Sequence, residues 1–230
     1  YLTDRETEDK FLREAYERTK YEVNVSHVLI RIDENDNDTI DVYNKLNNLR
    51  GPFLNSSIND FKNSNLEDEE LIIEILGYFS AFKMIYKFEN MAYNTSVGEV
   101  SMPFRSRFGF HILKVNDKRP SLGEVTVGHI MTYKNKPNAF ERITNISDSL
   151  NNGVSFEYLA KKYSDDKNSS FKGGRLNPFS SGQINSIPFE NAAFELDKKN
   201  NISKPIETKY GWHIIKFYSK KNLQKFDEIK

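Results

Sequence analysis

The chain of 230 residues carries 33 basic and 33 acidic side chains, 37% hydrophobic residues, 29% charged residues and no cysteine. The even charge argues against nucleic acid or an anionic membrane surface as the main partner, since both select strongly basic faces, and the missing cysteines exclude disulfides, thiol catalysis and Cys-based zinc sites. No apolar run approaches the roughly 18 residues of a membrane span, no signal peptide is visible, and the length allows about two domains.

Residues 3 to about 20 predict a helix. Thr3 and Glu6 have capping-box spacing, and Phe11, Leu12, Ala15 and Tyr16 fall on one stripe, set to pack on the first domain or to form part of a helical substrate-holding module. Residues 23–32 alternate as a strand, with Val23, Val25, His27 and Leu29 on one face and Ser26, Val28 and Ile30 on the other. The acidic run 33–38 resembles the start of a calcium loop. Asp38 stands where the tight-turn glycine belongs and Asn44 where the bidentate glutamate belongs, so a solvated loop is expected there. Val42, Leu46 and Leu49 predict a helix that ends before Gly51-Pro52. Residues 53–75 show little pattern, Leu76 to Phe79 read as a turn, and Met84 with Phe88 to Tyr93 as a helix. Two closing strands follow, split at Phe108-Gly109.

Residues 116–123 read as a linker, and Val125, Val127 and His129 then restart the opening pattern. Phe140, Ile143, Ile146 and Leu150 predict a helix stopped at Asn152-Gly153. Ser155 caps the next helix, whose buried face is Phe156, Leu159, Ala160 and Tyr163. From Tyr163 to Phe189 come a loop, a glycine hinge, an extended piece and a proline-started helix. Two strands, the second through Trp212-His213, complete the pattern. The four histidines show that the pattern is a repeat: His129 and His213 lie 102 residues after His27 and His111, and each pair is 84 apart. Each half therefore predicts an α+β domain in which an antiparallel or mixed sheet is covered by helices, with the two imidazoles facing each other if the first and last strands are neighbours. Both chain ends read as cuts in a longer protein.

In the second half, G-H-I, F-x-x-L-A-x-x-Y-S-D-D, G-G-x-L-x-x-F-x-x-G-Q, P-F-E-x-A-A-F and P-I-x-T-x-Y-G-W-H-I-I together resemble a parvulin-type peptidyl-prolyl cis/trans isomerase over about residues 122–219. The first half is similar in V-S-H-V-L-I, L-G-Y-F, F-E-N-M-A-Y and the run ending F-G-F-H-I-L. Two such units after a helical lead-in resemble the SurA-like chaperone isomerases of the bacterial cell envelope. The resemblance implies two tandem four-stranded antiparallel sheets wrapped by helices. It divides the chain into an N-terminal helix (1–20), a first domain (21–118), a linker (119–123), a second domain (124–219) and a tail (220–230). It also implies a catalytic set of His129, Asp166, Thr208 and His213 beside a proline pocket of Leu176, Ile184 and Phe189, with Phe179 next to it. The clients it implies are unfolded or proline-containing polypeptides, the location is periplasmic or cell-envelope, and neither cofactor nor metal is called for.

These residue types suit the chemistry. Turning an X-Pro bond crosses a barrier of about 18–20 kcal/mol set by amide resonance, and no covalent bond need break. A dry socket that grips the ring, plus polar groups that favour the twisted amide, is sufficient. The first half keeps His27, Leu76, Phe79, Met84, Phe88, Ser106 and His111, but a gap-free count from Leu76/Leu176 sets Leu66 opposite Asp166 and Ile73-Glu74 opposite Gly173-Gly174. Its site is therefore expected to be degenerate, weakly active or inactive, with Glu67 and Asp68 nearby as stand-ins for the acid. Arg175, Lys134 and Lys136 point to acidic residues before the proline, without phosphate dependence. A holdase that does not catalyse is the rival reading, and a metal held by two histidines and Asp166 a remoter one.

Overall fold

A computed structural model describes residues 5–33, 35–36 and 39–223, with side chains from residue 11 onward. Thr3 of the capping box, half of the acidic run 33–38 (residues 34, 37 and 38) and the end of the C-terminal tail lie outside the described residues. The chain divides into two compact units between Ser121 and Leu122.

The first unit runs α1 (Arg5–Thr19), β1 (Tyr21–Ile30), α2 (Ile40–Asn55), α3 (Ile58–Ser64), β2 (Leu71–Phe79), α4 (Tyr86–Asn94), β3 (Phe104–Ser106) and β4 (Gly109–Pro120). Its four strands form an antiparallel sheet in the order β2-β1-β4-β3. The period-2 alternation of β1 sorts two cores onto the two faces. Val28, Ile30 and Ile112 pack with Leu46, Phe53 and Phe61 under α2 and α3. Val23, Val25, Leu113 and Val115 pack with Phe79, Phe88 and Ala92 under α4.

Four elements depart from the sequence reading. Helix α2 does not stop at Gly51-Pro52 but carries Pro52 inside it. A proline there forfeits one N–H bond and crowds the preceding turn. Burial of Phe53 one residue on, with its ring 4.8 Å from that of Phe61, holds the last turn in place. The featureless stretch after it contains α3, capped by Ser57 accepting from Asp60 N–H at 3.1 Å. It also contains β2, so Leu76 to Phe79 end a strand rather than form a turn. In α1, Phe11 and Leu12 stay exposed. The helix is instead tied down by Arg18, which donates to Asn90 at 2.6 Å.

The second unit runs β5 (Glu124–Tyr133), α5 (Ala139–Asn151), α6 (Phe156–Tyr163), α7 (Lys167–Ser170), α8 (Ile187–Glu195), β6 (Ile206–Thr208) and β7 (Gly211–Lys221). Its continuous antiparallel ladder has three strands in the order β5-β7-β6. The place of β2 is taken by residues 175–179, joined to β5 through bridges Val125–Phe179 and Gly128–Arg175. Pro178 has no N–H to give a ladder, so the fourth strand stays irregular. Again the faces separate. Ile130 and Ile214 pack with α5 and α6, and Val125, Val127, Ile215 and Phe217 with Phe179, Phe189 and Ala193. Both long strand pairs slip register at repeat-related points, Asn24/Val25 and Thr126/Val127. That shared bulge keeps the histidines of both units on the α4 or α8 face. Among the described residues no helix is long and apolar enough to cross a membrane.

Candidate active site

In the second unit, β5 and β7 bring His129 and His213 together on adjacent strands, and their Nδ1 atoms stand 3.2 Å apart. Thr208, at the end of β6, places its Oγ1 2.9 Å from His213 Nε2. Asp166, the N-cap of α7, places Oδ2 2.7 Å from His129 Nε2, while its other oxygen accepts from Asn168 N–H at 3.1 Å. The hinge Gly173-Gly174 delivers this loop, and both glycines have positive φ, 68° and 83°. At Gly174 a side chain has no room: a Cβ would come within 2.4 Å of the His129 carbonyl oxygen.

The protons in this array run one way. The His129 hydrogen bond holds the Asp166 carboxyl well below the usual carboxylate range, so at neutral pH it only accepts. His129 then donates from Nε2, and in that tautomer it presents a lone pair at Nδ1. His213 then donates from Nδ1 and accepts at Nε2 from the Thr208 hydroxyl, which the Gly211 carbonyl oxygen also faces at 3.3 Å. Thr208 in turn accepts from Tyr210 N–H at 3.1 Å. Every member of this arrangement has a partner. Burial, with a smaller push from His129, lowers His213 to about 4 and keeps it neutral. Since the two Nδ1 atoms face each other, the histidines do not converge on a metal with Asp166. Among the described residues no group of three or more His, Cys, Asp or Glu side chains could hold a metal ion.

The apolar residues expected around this array are present. Phe189 on α8 stands edge-on to both imidazoles, 5.6 Å from His129 and 5.3 Å from His213. Leu176 and Ile184, partly buried, join the same cluster. Phe179 lies deeper, 3% exposed and 6.4 Å from Phe189, so it supports the socket from below. Glu190, buried on α8, pins the loop beneath by accepting from Gly182 N–H at 2.9 Å and Ile184 N–H at 2.6 Å. Trp212 is on the other face, against Phe140 at 4.6 Å. Sequence reasoning missed Ser169, whose hydroxyl bonds Asp166 and lies 3.2 Å from His129 Nε2. A serine three residues after a capping aspartate was the available signal. The three cations expected to read an acidic neighbour are engaged elsewhere. Lys136 pairs with Asp165 at 2.6 Å, Lys134 with Glu207 at 2.9 Å, and Arg175 lies over the Tyr218 ring at 4.6 Å.

The first unit repeats the frame. His27 and His111 face each other through Nδ1 at 3.5 Å, and Ser106 Oγ is 2.7 Å from His111 Nε2. Phe88 stands edge-on to both, at 5.4 and 5.6 Å. Leu76 and Met84 border it, and Phe79 lies 6.4 Å behind. The unit does not lack an acid. Glu74 Oε2 is 2.9 Å from His27 Nε2, because β2 pairs Glu74 directly opposite His27. Asp68, considered as a stand-in, is instead paired with Lys45 at 2.8 Å. The gap-free count that set Glu74 opposite Gly174 describes the sheet correctly, since the Gly174 carbonyl bonds His129 N–H at 2.8 Å. What it hid was that a side chain on that strand can reach where Asp166 reaches from its loop. A single charge inside the apolar run Leu71–Phe79 was the sign.

Comparison with known proteins agrees with this frame. The family model for the PPIC-type PPIase domain (rotamase) matches residues 27–117 and again residues 124–219. The chain belongs to this parvulin family of peptidyl-prolyl isomerases, as a tandem pair of its domains. It is 42% identical over 107 residues to foldase protein PrsA 3 of Bacillus anthracis, covering 46% of this chain and 35% of that one. It is 30% identical over 224 residues to chaperone SurA of Yersinia pestis bv. Antiqua, covering 90% of this chain and 50% of that one. A crystal structure of the peptidylprolyl isomerase PrsA from Bacillus anthracis is 39% identical over 46% of each chain, with a TM-score of 0.39. The chain thus spans half or less of the length of these curated relatives.

Proposed function

We infer that the protein accelerates X-Pro isomerisation in unfolded or partly folded polypeptides of the cell envelope, and binds such chains as a chaperone does. In this reading residues 21–118 and 124–219 are its two working domains, and the second is the main catalyst. The observation that carries the reading is the one-way proton chain from Thr208 through His213 and His129 to Asp166, set beside Phe189. The chain fixes a carboxylate next to an apolar socket. Leu176, Ile184 and Phe189 hold the proline, and Asp166 lies beside the carbonyl of the residue before it.

The electrostatics follow from amide resonance. A planar amide places extra negative charge on its oxygen, and the twisted amide loses it. A fixed carboxylate nearby therefore disfavours the planar state more than the twisted one, and so lowers the barrier between planar forms. The histidines hold Asp166 in place and take no proton from the substrate, since the reaction moves none.

The test is the cis/trans exchange rate of short X-Pro peptides with catalytic amounts of the full chain, measured by NMR exchange. Asp166→Ala is expected to remove the greater part of the acceleration, roughly tenfold in kcat/KM, with the fold intact by circular dichroism. A wild-type chain that accelerates none of several X-Pro peptides would overturn the isomerase reading.

A further inference from the structure

The histidine pair of the first unit is connected as in the second, with a different acid. Phe108 N–H donates to Ser106 Oγ at 3.0 Å, which frees the Ser106 hydroxyl proton for His111 Nε2. His111 then donates from Nδ1 to His27, and His27 from Nε2 to Glu74. Burial lowers His111 to about 4 and lowers His27 as well, so this pair is neutral. We propose that the first unit is a second prolyl-isomerase site, in which Glu74 on β2 does what Asp166 does from its loop. The proposal rests on the isomerase reading of the second unit and extends it to the half whose sequence lacks the aspartate.

Three features go beyond a structural role for Glu74. The carboxylate side chain is 56% exposed, against 18% for Asp166, so it faces solvent as well as His27. It opens on a cleft of about 410 Å³ lined by His27, His111, Leu76, Met84 and Phe88, within the range of about 300–1,000 Å³ typical of ligand sites. The cleft also combines polar groups and apolar socket in the arrangement of the second unit, with Met84 for Ile184 and Phe88 for Phe189. Glu74 is longer than Asp166 and lacks the bonds that Asn168 and Ser169 give that residue. A less fixed carboxylate stabilises the twisted amide less, so this site is the slower one.

The experiment uses the full chain carrying Asp166→Ala and the same peptide exchange assay. An acceleration above the spontaneous rate is expected to remain. Adding Glu74→Gln should cut that remainder by about fivefold or more, a change well above assay scatter, while Asp68→Asn should leave it unchanged. A remainder indifferent to Glu74→Gln, or no remainder at all, overturns the proposal. The outcomes also separate the two readings. A wild type that is active and an Asp166→Ala chain that is not would sink only the first-unit site. Activity lost with Glu74→Gln alone and kept with Asp166→Ala would sink the assignment of the second unit as main catalyst. As an independent check, a proline peptide titrated into the Asp166→Ala chain should move the ring 15N resonances of His27 and His111. Resonances that stay still at saturating peptide count against the site.

Discussion

His213 and His111 are the residues whose protonation the fold opposes most clearly. Each lies buried on a central strand, and burial pushes each down to about 4. In an unfolded chain a histidine titrates near ~6.5. Between those values the unfolded chain binds more protons than the folded one, so stability is fully present above pH ~6.5 and falls as the pH drops toward 4. The slope is about 1.4 kcal/mol per pH unit per histidine, or about 2 kcal/mol each by pH 5. Asp166 acts at lower pH, because its carboxyl is held down chiefly by His129, and its contribution is lost only below its ordinary value near ~3.9. Urea unfolding followed by the fluorescence of the single tryptophan, Trp212, reads the second unit directly. Its midpoint is expected to fall between pH 7 and pH 5. A midpoint independent of pH over that range would mean that His213 is charged in the folded state, and would break the proton chain drawn above.

Among elements, the glycine hinge before residues 175–179 separates local conformation from tertiary fit. Gly153 and Gly174 have the same φ, 83°. An added Cβ meets nothing within 4 Å at Gly153, but the His129 carbonyl at 2.4 Å at Gly174. Gly153→Ala should therefore cost about 1 kcal/mol for the left-handed backbone alone. Gly174→Ala should cost about 3 kcal/mol, because the hinge must leave β5. It should also slow isomerisation, since the Asp166 loop moves with it. Equal costs in the Trp212 unfolding assay would mean that the hinge yields without strain. This hinge was legible in the sequence because a glycine pair and a proline-started helix each constrain the backbone locally. The histidine pairs and aromatic sockets were legible through their spacing. Helix α3, strand β2 and Glu74 were not. In β2 the apolar residues run together instead of alternating, because Leu71 and Ile73 pack on one face of the sheet, Leu76 packs on the other, and the register slips near Gly77. Pro52 misled for the opposite reason: a strong local stop signal was overridden by burial of Phe53.

Across the whole molecule, two copies of one frame place a carboxylate and an apolar socket side by side but on different elements. In the second unit the acid comes from the loop before α7, and the socket from residues 176–189. In the first the acid comes from β2, and much of the socket from Met84 and Phe88 around α4. Rate and grip can therefore be separated by substitution. Holding an unfolded segment draws on apolar burial, at about 25 cal/mol per Å² removed from water, and does not need a charge aimed at an amide. The chain carrying both Asp166→Ala and Glu74→Gln is expected to lose isomerisation yet still suppress aggregation of a heat-unfolded client at stoichiometric ratio, followed by light scattering. A chain carrying Leu76→Ala and Ile184→Ala, both at partly buried socket positions, should lose rate and suppression together. If suppression survives the socket changes undiminished, clients are held on some other surface and the two sockets serve catalysis alone. If it disappears with the acids, then binding and turnover share the same charged groups, and the separation of socket from carboxylate drawn here is wrong.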